Sequence, residues 1–243
     1  MEEIQFIMSI PITIKVIDDH VTKRDIQDIF DYFIRVDERF STYKPNSEIS
    51  HINAGALKPV QYSVDMDEVL ALSEETRKVT HGYFDISHKG KLDPSGLVKG
   101  WAINNASNLL KQKGFEIFYI DAGGDIQAEG KLWNIGIRHP FNEKGIVKVL
   151  SVMNHGVATS GTYNRGQHVY NPHKIDEKNQ EIVSLTVIGP NIYEADRFAT
   201  AAFAMGNRGI QFIEKLAGFE AYMIDAKGIA TLTSSFEQYV STN

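Results

Sequence analysis

No cysteine occurs in the 243 residues. That removes disulfides, thiolate metal sites and cysteine nucleophiles together, and leaves the redox compartment open, since either one tolerates a cysteine-free chain. Basic charge is also short: 25 Lys and Arg stand against 31 Asp and Glu, a net charge of −6. No global positive field exists to gather nucleic acid or anionic lipid, so any phosphate in a ligand must be held locally. Long apolar runs are missing too. No window approaches the ~18 apolar residues of a membrane span, and Met1-Glu2-Glu3-Ile4-Gln5 has neither the basic start nor the apolar stretch of an export signal. As written the chain reads as soluble and cytoplasmic, although removal of a leader would leave the same sequence. The nucleotide cradles G-x-x-x-x-G-K-S/T and G-x-G-x-x-G are absent, as is H-E-x-x-H. Thr159-Ser160-Gly161 lacks the glycine that precedes the serine of a nucleophile elbow, and His139, His155, His168 and His173 follow no usual zinc spacing.

What is present is a globular composition, 42% hydrophobic and 23% charged, enough at this length to bury a sizeable core without staples. Residues 11–17 alternate β-branched and polar side chains and predict a strand. From Thr22 as N-cap, Ile26, Ile29, Phe30, Phe33 and Ile34 recur at helical spacing, giving a helix that ends near Arg39. Residues 40–47 read as a polar turn and 50–58 as further loop. A second helix is expected over 65–80, carrying Met66, Val69, Leu70 and Val79 and closed by His81-Gly82. The turn Asp93-Pro94-Ser95-Gly96 opens a third helix that runs to Lys113 and stops at Gly114. Residues 115–120 predict a strand ending in Asp121-Ala122-Gly123-Gly124-Asp125, with 126–130 and 133–138 forming a hairpin beyond it. Strands follow at 147–153, 155–159, 167–170 and 182–188, helices at 194–205 and 209–216, and strands at 220–225 and 228–232. Helices set between groups of hairpin-spaced strands predict an α+β fold of largely antiparallel sheet in one unit.

Several short segments combine glycine with charged or hydroxyl residues at element boundaries, where phosphates and metal ions are usually held. Asp196 and Thr200, four apart in a predicted helix, put a carboxylate and a hydroxyl on one face, a pair suited to magnesium; a solvated Asp beside a Thr bonded to its own backbone fits the spacing equally. Lys99 lies one turn into the helix behind the glycine turn, where the dipole favours an anion, yet a helix lysine is ordinarily solvent-facing. Asp93 can cap that helix. Gly123 and Gly124 permit close backbone approach or a plain hairpin turn, and Asp125 either bonds a ligand or caps that turn. Thr159, Ser160 and Gly161 alone would be an ordinary turn, and His168 a structural strand histidine. Tyr43, Tyr83, Phe84 and Trp101 have flat faces suited to stacking on an aromatic ring, the core being the readier place for Phe84 and Trp101.

Read in order, Phe40-Ser-Thr-Tyr43 through Asn53, Gly82-Tyr-Phe-Asp85, Asp93-Pro-Ser-Gly-Leu-Val-Lys-Gly-Trp101, Asp121-Ala-Gly-Gly-Asp125, Val157-Ala-Thr-Ser-Gly161 with His168-Val-Tyr-Asn-Pro172, and Ala195-Asp-Arg-Phe-Ala-Thr200 before Met205-Gly206 resemble the motifs of the ApbE-like FAD:protein FMN transferases. The resemblance spans roughly residues 8 to 232, and six ordered motifs are far more specific than any one. It implies T-fold-like layers of mostly antiparallel sheet with packed helices, as a single domain over the whole chain. It also implies a magnesium-dependent enzyme that cleaves FAD and moves FMN onto a threonine hydroxyl of a target flavoprotein, releasing AMP. An FAD pyrophosphatase and a non-catalytic flavin-binding protein are the alternatives. On the same basis Gly96, Asp196 and Thr200 hold Mg2+; Lys99, Asp196 and His168, the last as general base, are catalytic. Tyr43, Asn53, Asp85, Ser95, Lys99, Gly123, Gly124, Asp125, Thr159, Ser160 and Gly161 contact FAD. The partners are FAD as substrate and an acceptor flavoprotein, with no nucleic acid and room for a homodimer. The chain departs from the family at Met8-Ser9-Ile10, where Met-Gly-Thr is usual, and at Asn171, where an acidic residue is often found. Between Asp85 and Asp93 a long stretch is missing, which implies that a lid or ring-binding wall has been deleted.

Overall fold

The computed structural model describes residues 1–142, 144–162, 172–173 and 181–241. The elements in chain order are β1 (Glu2–Ile7), β2 (Ile10–Val16), α1 (Lys23–Phe40), α2 (Glu48–Asn53), α3 (Val64–Val79), β3 (Ser87–His88), β4 (Lys91–Leu92) and α4 (Ser95–Gln112). Then come β5 (Phe118–Ala122), β6 (Asp125–Glu129), β7 (Trp133–Arg138), β8 (Ile146–Val152), β9 (His155–Gly161), β10 (Ile182–Gly189), α5 (Ile192–Ala204), α6 (Gly209–Glu214), β11 (Glu220–Asp225) and β12 (Ala230–Leu232). Eight strands form one sheet in the order β1-β2-β5-β6-β9-β10-β11-β12, every pair antiparallel, and β3-β4 and β7-β8 are separate two-stranded ribbons. The α+β class with antiparallel sheet is thus as expected. No helix of the described residues is long and apolar enough to cross a membrane.

Local chemistry explains the elements that position the site. Thr22 caps α1 through a reciprocal box with Asp25, and Ile26, Ile29, Phe30, Phe33, Val36 and Phe40 form its buried stripe, while Ile34 is exposed. Helices cover one face of the large sheet, where Ile12, Ile14, Phe118 and Ile120 are fully buried. The β7-β8 ribbon and Phe236 pack a second core with Ala128, Val157, Ile188 and Ile224.

Four expectations need correction. Strand β1 was not anticipated; its acidic start hides the pattern, and only pairing with β2 through a Met8-Ser9 turn makes it a strand. Residues 48–53 are a helix, capped by the Ser47 hydroxyl, where loop was expected. Strand β5 begins at Phe118 because residues 115–117 leave the helix through a turn anchored by Asp18, whose carboxylate accepts from the Glu116 and Ile117 amides. Residues 126–130 do not form a hairpin with 133–138: β6 returns beside β5 across Gly123-Gly124, both at positive φ, and β7 pairs with β8 instead. The strand expected over 167–170, together with His168 and Asn171, lies outside the described residues.

Candidate functional site

The Asp93-Pro94-Ser95-Gly96 turn starts α4 as expected, with the Asp93 carboxylate accepting from the Ser95 amide at 3.1 Å. One turn further on, Lys99 reaches across to Asp125 at the start of β6 and forms an ion pair with it; its ammonium is 3.9 Å from Asp196 Oδ1. The other Asp125 oxygen accepts from the Thr159 amide at 3.0 Å. Asp125 therefore ties α4, β6 and β9 together, which is neither turn capping nor direct exposure to a ligand. Asp196 is 3% exposed, and its Oδ2 accepts from the Gly100 amide at 2.8 Å. Burial pushes its carboxyl up to about 7, opposed by the nearby Lys99 charge and reinforced by Asp125. One helical turn along α5, the Thr200 hydroxyl donates to the Gly96 carbonyl at 3.3 Å. Asp196 and Thr200 do share a face.

These groups border one cavity of about 830 Å3. Asn53, Asp85, Ser95, Gly96, Lys99, Thr159, Ser160, Asp196 and Thr200 all line it. The short β3-β4 hairpin supplies one wall through Ile86, His88, Lys89, Lys91 and Leu92, so the shortened stretch keeps a wall where a deletion was expected. Asn53 fastens that wall, its amide donating to the Leu92 carbonyl at 2.8 Å and accepting from the Leu92 amide at 2.7 Å. Asp85 accepts from the Ser87 amide at 2.8 Å and sets the entry to the hairpin.

Other expected contacts fall elsewhere. Tyr43 is 94% exposed and does not line the cavity, whereas its neighbour Thr42 does. Gly123 and Gly124 border a second, smaller cavity with Asp121; Gly161 ends β9 and lines neither. Trp101 is buried against Phe40, as core packing requires, while Phe84 is buried yet touches the cavity. Tyr83 stands at the wall, hydrogen-bonded by Arg208 and edge-on to His173.

Among the described residues no three of His, Asp and Glu gather as metal ligands. A cation here would be held by one carboxylate, Asp196, with the Gly96 carbonyl and Thr200 hydroxyl. This all-oxygen set fits magnesium, which keeps several sites for water and substrate phosphate. Gly100 is the residue that sequence reasoning passed over. A Cβ there would lie 2.6 Å from Asp196 Cβ and 2.9 Å from the Ile192 carbonyl, so glycine is what lets α4 approach α5. A lone glycine inside a helix, costly by ~1 kcal/mol, was the available signal.

The ApbE family pattern matches this sequence in two stretches, residues 8–90 and 87–223. The chain belongs to the ApbE family. The two stretches meet on the β3-β4 hairpin, where the chain is short relative to the family. A FAD:protein FMN transferase of Klebsiella pneumoniae is 28% identical over 151 residues, covering 56% of this chain and 43% of that protein. The Escherichia coli K12 protein of the same name is 27% identical over 164 residues, covering 62% and 47%. The chain thus spans about half the length of these two relatives. A Haemophilus influenzae FAD:protein FMN transferase matches more completely, 25% identical over 281 residues and covering 85% of this chain and 81% of its own. Among solved structures, the flavin transferase ApbE from Vibrio cholerae superposes with a TM-score of 0.86 at 20% identity over 98% of both chains. The ApbE protein from Thermotoga maritima gives 0.88 at 18% over 99% of both. These chains share the ApbE fold.

Proposed function

We propose that this ApbE-family chain is an FAD:protein FMN transferase that uses Mg2+, takes FAD as donor and a threonine of a flavoprotein as acceptor, and releases AMP. The observation that carries the reading is the convergence of Gly96, Lys99, Thr159, Ser160, Asp196 and Thr200, from separate segments, on one cavity of about 830 Å3. That volume suits a cofactor-sized ligand. The α4 N-terminus and Lys99 favour a pyrophosphate there, and the Thr159-Ser160 segment offers further donors. Bound at Gly96, Asp196 and Thr200, Mg2+ would neutralise phosphate charge as it builds in the transition state.

The step is a phosphoryl-type displacement. The acceptor hydroxyl oxygen forms a bond to the FMN-side phosphorus of FAD, the bond from that phosphorus to the bridging oxygen breaks, and the bridging oxygen leaves with AMP. The hydroxyl proton passes to a base and then to solvent, so FAD and the alcohol become the FMN phosphodiester, AMP and one proton. His168 is the proposed base, since imidazole suits proton removal near neutral pH. Lys99, held by Asp125, stays aimed at the donor, and positioning with charge stabilisation is what such transfers chiefly need.

The test is incubation with FAD, with and without Mg2+ and with threonine-containing peptides, following AMP, free FMN and peptide-bound flavin. Mg2+-dependent AMP with flavin on peptide is the expected result. AMP with free FMN regardless of peptide would instead make the chain a pyrophosphatase, and bound but intact FAD a binding protein.

A further inference from the structure

The second cavity, about 280 Å3, is too small for a flavin nucleotide and of a size for a few side chains. Tyr119, Asp121, Trp133, Gly136, Arg138 and Thr159 line it. Strand register puts it on the face away from the helices. The pairs Thr13↔Asp121, Asp121↔Ile126 and Ile126↔Val157 run across one face, while Asp125 and Gln127 point to the other, toward Lys99 and the start of α5. Thr159, two residues beyond Val157, lines both cavities and is where they meet.

The wall of this cavity is β7, which among the described residues pairs only with β8 and so keeps its other edge open. Asn134, Gly136 and Arg138 are exposed along it. Beside it the Gly123 amide donates to the Pro11 carbonyl at 3.1 Å, and Pro11 pairs with Phe6, a phenylalanine left 75% exposed. The neighbouring charges offset one another: Lys15 pairs with Glu2 at 2.8 Å, and Arg138 lies close enough to Asp121 to act on its carboxyl.

We infer that this cavity seats the acceptor: an extended, uncharged segment of the target protein that adds to the open edge of β7, rests an apolar side chain on Phe6, and brings its threonine hydroxyl past Thr159 into the donor cavity. Strand addition supplies affinity from main-chain bonds, and the absence of a side chain at Gly136 leaves room for the threonine. The inference rests on the transfer reading and uses the bond changes written above. Size and continuity carry it: one cavity fits the donor, the adjoining one fits only a peptide, and a shared residue joins them.

The experiment uses the full chain, FAD, Mg2+ and a library of short peptides with a fixed central threonine and randomised flanks, reading peptide-bound flavin. Phe6→Glu and Asn134→Glu change exposed side chains outside the donor cavity. Each is expected to lower peptide flavinylation about tenfold, ~1.4 kcal/mol, while the FAD-induced thermal shift stays at the parent value. Full flavinylation by both variants, with the parent active, overturns this assignment alone. A variant that also loses the FAD shift overturns it by placing these residues on the donor side. A parent that binds FAD but labels no peptide overturns the transferase reading and this inference with it.

Discussion

Asp196 carries a carboxyl that burial holds protonated to an unusually high pH, in the one place where a cation would want it ionised. Without divalent metal, the folded chain keeps this proton up to about pH 7, and the unfolded chain gives it up near the ordinary carboxylate value. The folded state therefore binds more protons between those values, and this group makes stability fall as pH rises through that window. In the presence of a chelator, Asp196→Asn is expected to gain thermal stability relative to the parent between pH 5 and 7.5, by roughly 1 kcal/mol per pH unit at most. Melting curves whose difference is flat with pH would contradict this. The same substitution is expected to cut Mg2+-dependent AMP release at least ~100-fold, since it removes the only carboxylate in the ligand set; full metal-dependent activity would sink the assigned site. Lys99→Met leaves Asp125, which is 2% exposed, without its counter-charge. A loss of roughly 1–3 kcal/mol is expected in denaturant titration, less than for a fully buried pair because Lys99 keeps partial contact with water.

At the scale of elements, close approach and turn geometry set the site. Gly100→Ala gains helix propensity but forces a Cβ against Asp196 and the Ile192 carbonyl. Overpacking is expected to win, for a net loss of roughly 1–3 kcal/mol together with weaker metal-dependent turnover. The β1-β2 turn offers the opposite case. Met8 and Ser9 sit at φ 55° and 60°, a two-residue turn that asparagine and glycine prefer. Ser9→Gly is expected to raise stability by about 0.5–1 kcal/mol, and a fall in Tm would argue against that strain. The β3-β4 wall depends on Asn53. Asn53→Ala is expected to raise the KM for FAD several-fold at little cost to kcat, with a stability loss of about 1–2 kcal/mol; an unchanged KM would show that the wall stands without its clamp.

At the scale of the whole molecule, the large sheet separates two cores, one under the helices and one under the β7-β8 ribbon. Phe236, fully buried in the smaller core, belongs to a C-terminal segment that also covers the β8 edge through Leu150↔Val240. Phe236→Ala is expected to cost about 3–5 kcal/mol. In the folded fraction it should leave the FAD-induced thermal shift intact, because the donor cavity is built on the helix face.

The sequence by itself determined the elements whose causes are local. The capping box at Thr22, the turn before Ser95, the helices α1, α3, α4 and α5, and the antiparallel character of the second half were all legible from spacing and caps. So was the pairing of Asp196 with Thr200, because four residues make one helical turn wherever the helix lies. Only the tertiary structure decided which strand pairs with which. The motif Asp121-Ala122-Gly123-Gly124-Asp125 fits a ligand turn or a hairpin equally, and the choice depended on β9 lying beside β6. It also decided that Asp125 serves Lys99, that Asn53 clamps a wall thirty-nine residues away, and that Tyr43 faces solvent. Such facts depend on contacts between residues far apart in sequence, whose partners no local window contains, and a glycine such as Gly100 shows its purpose only when the neighbouring helix is in place.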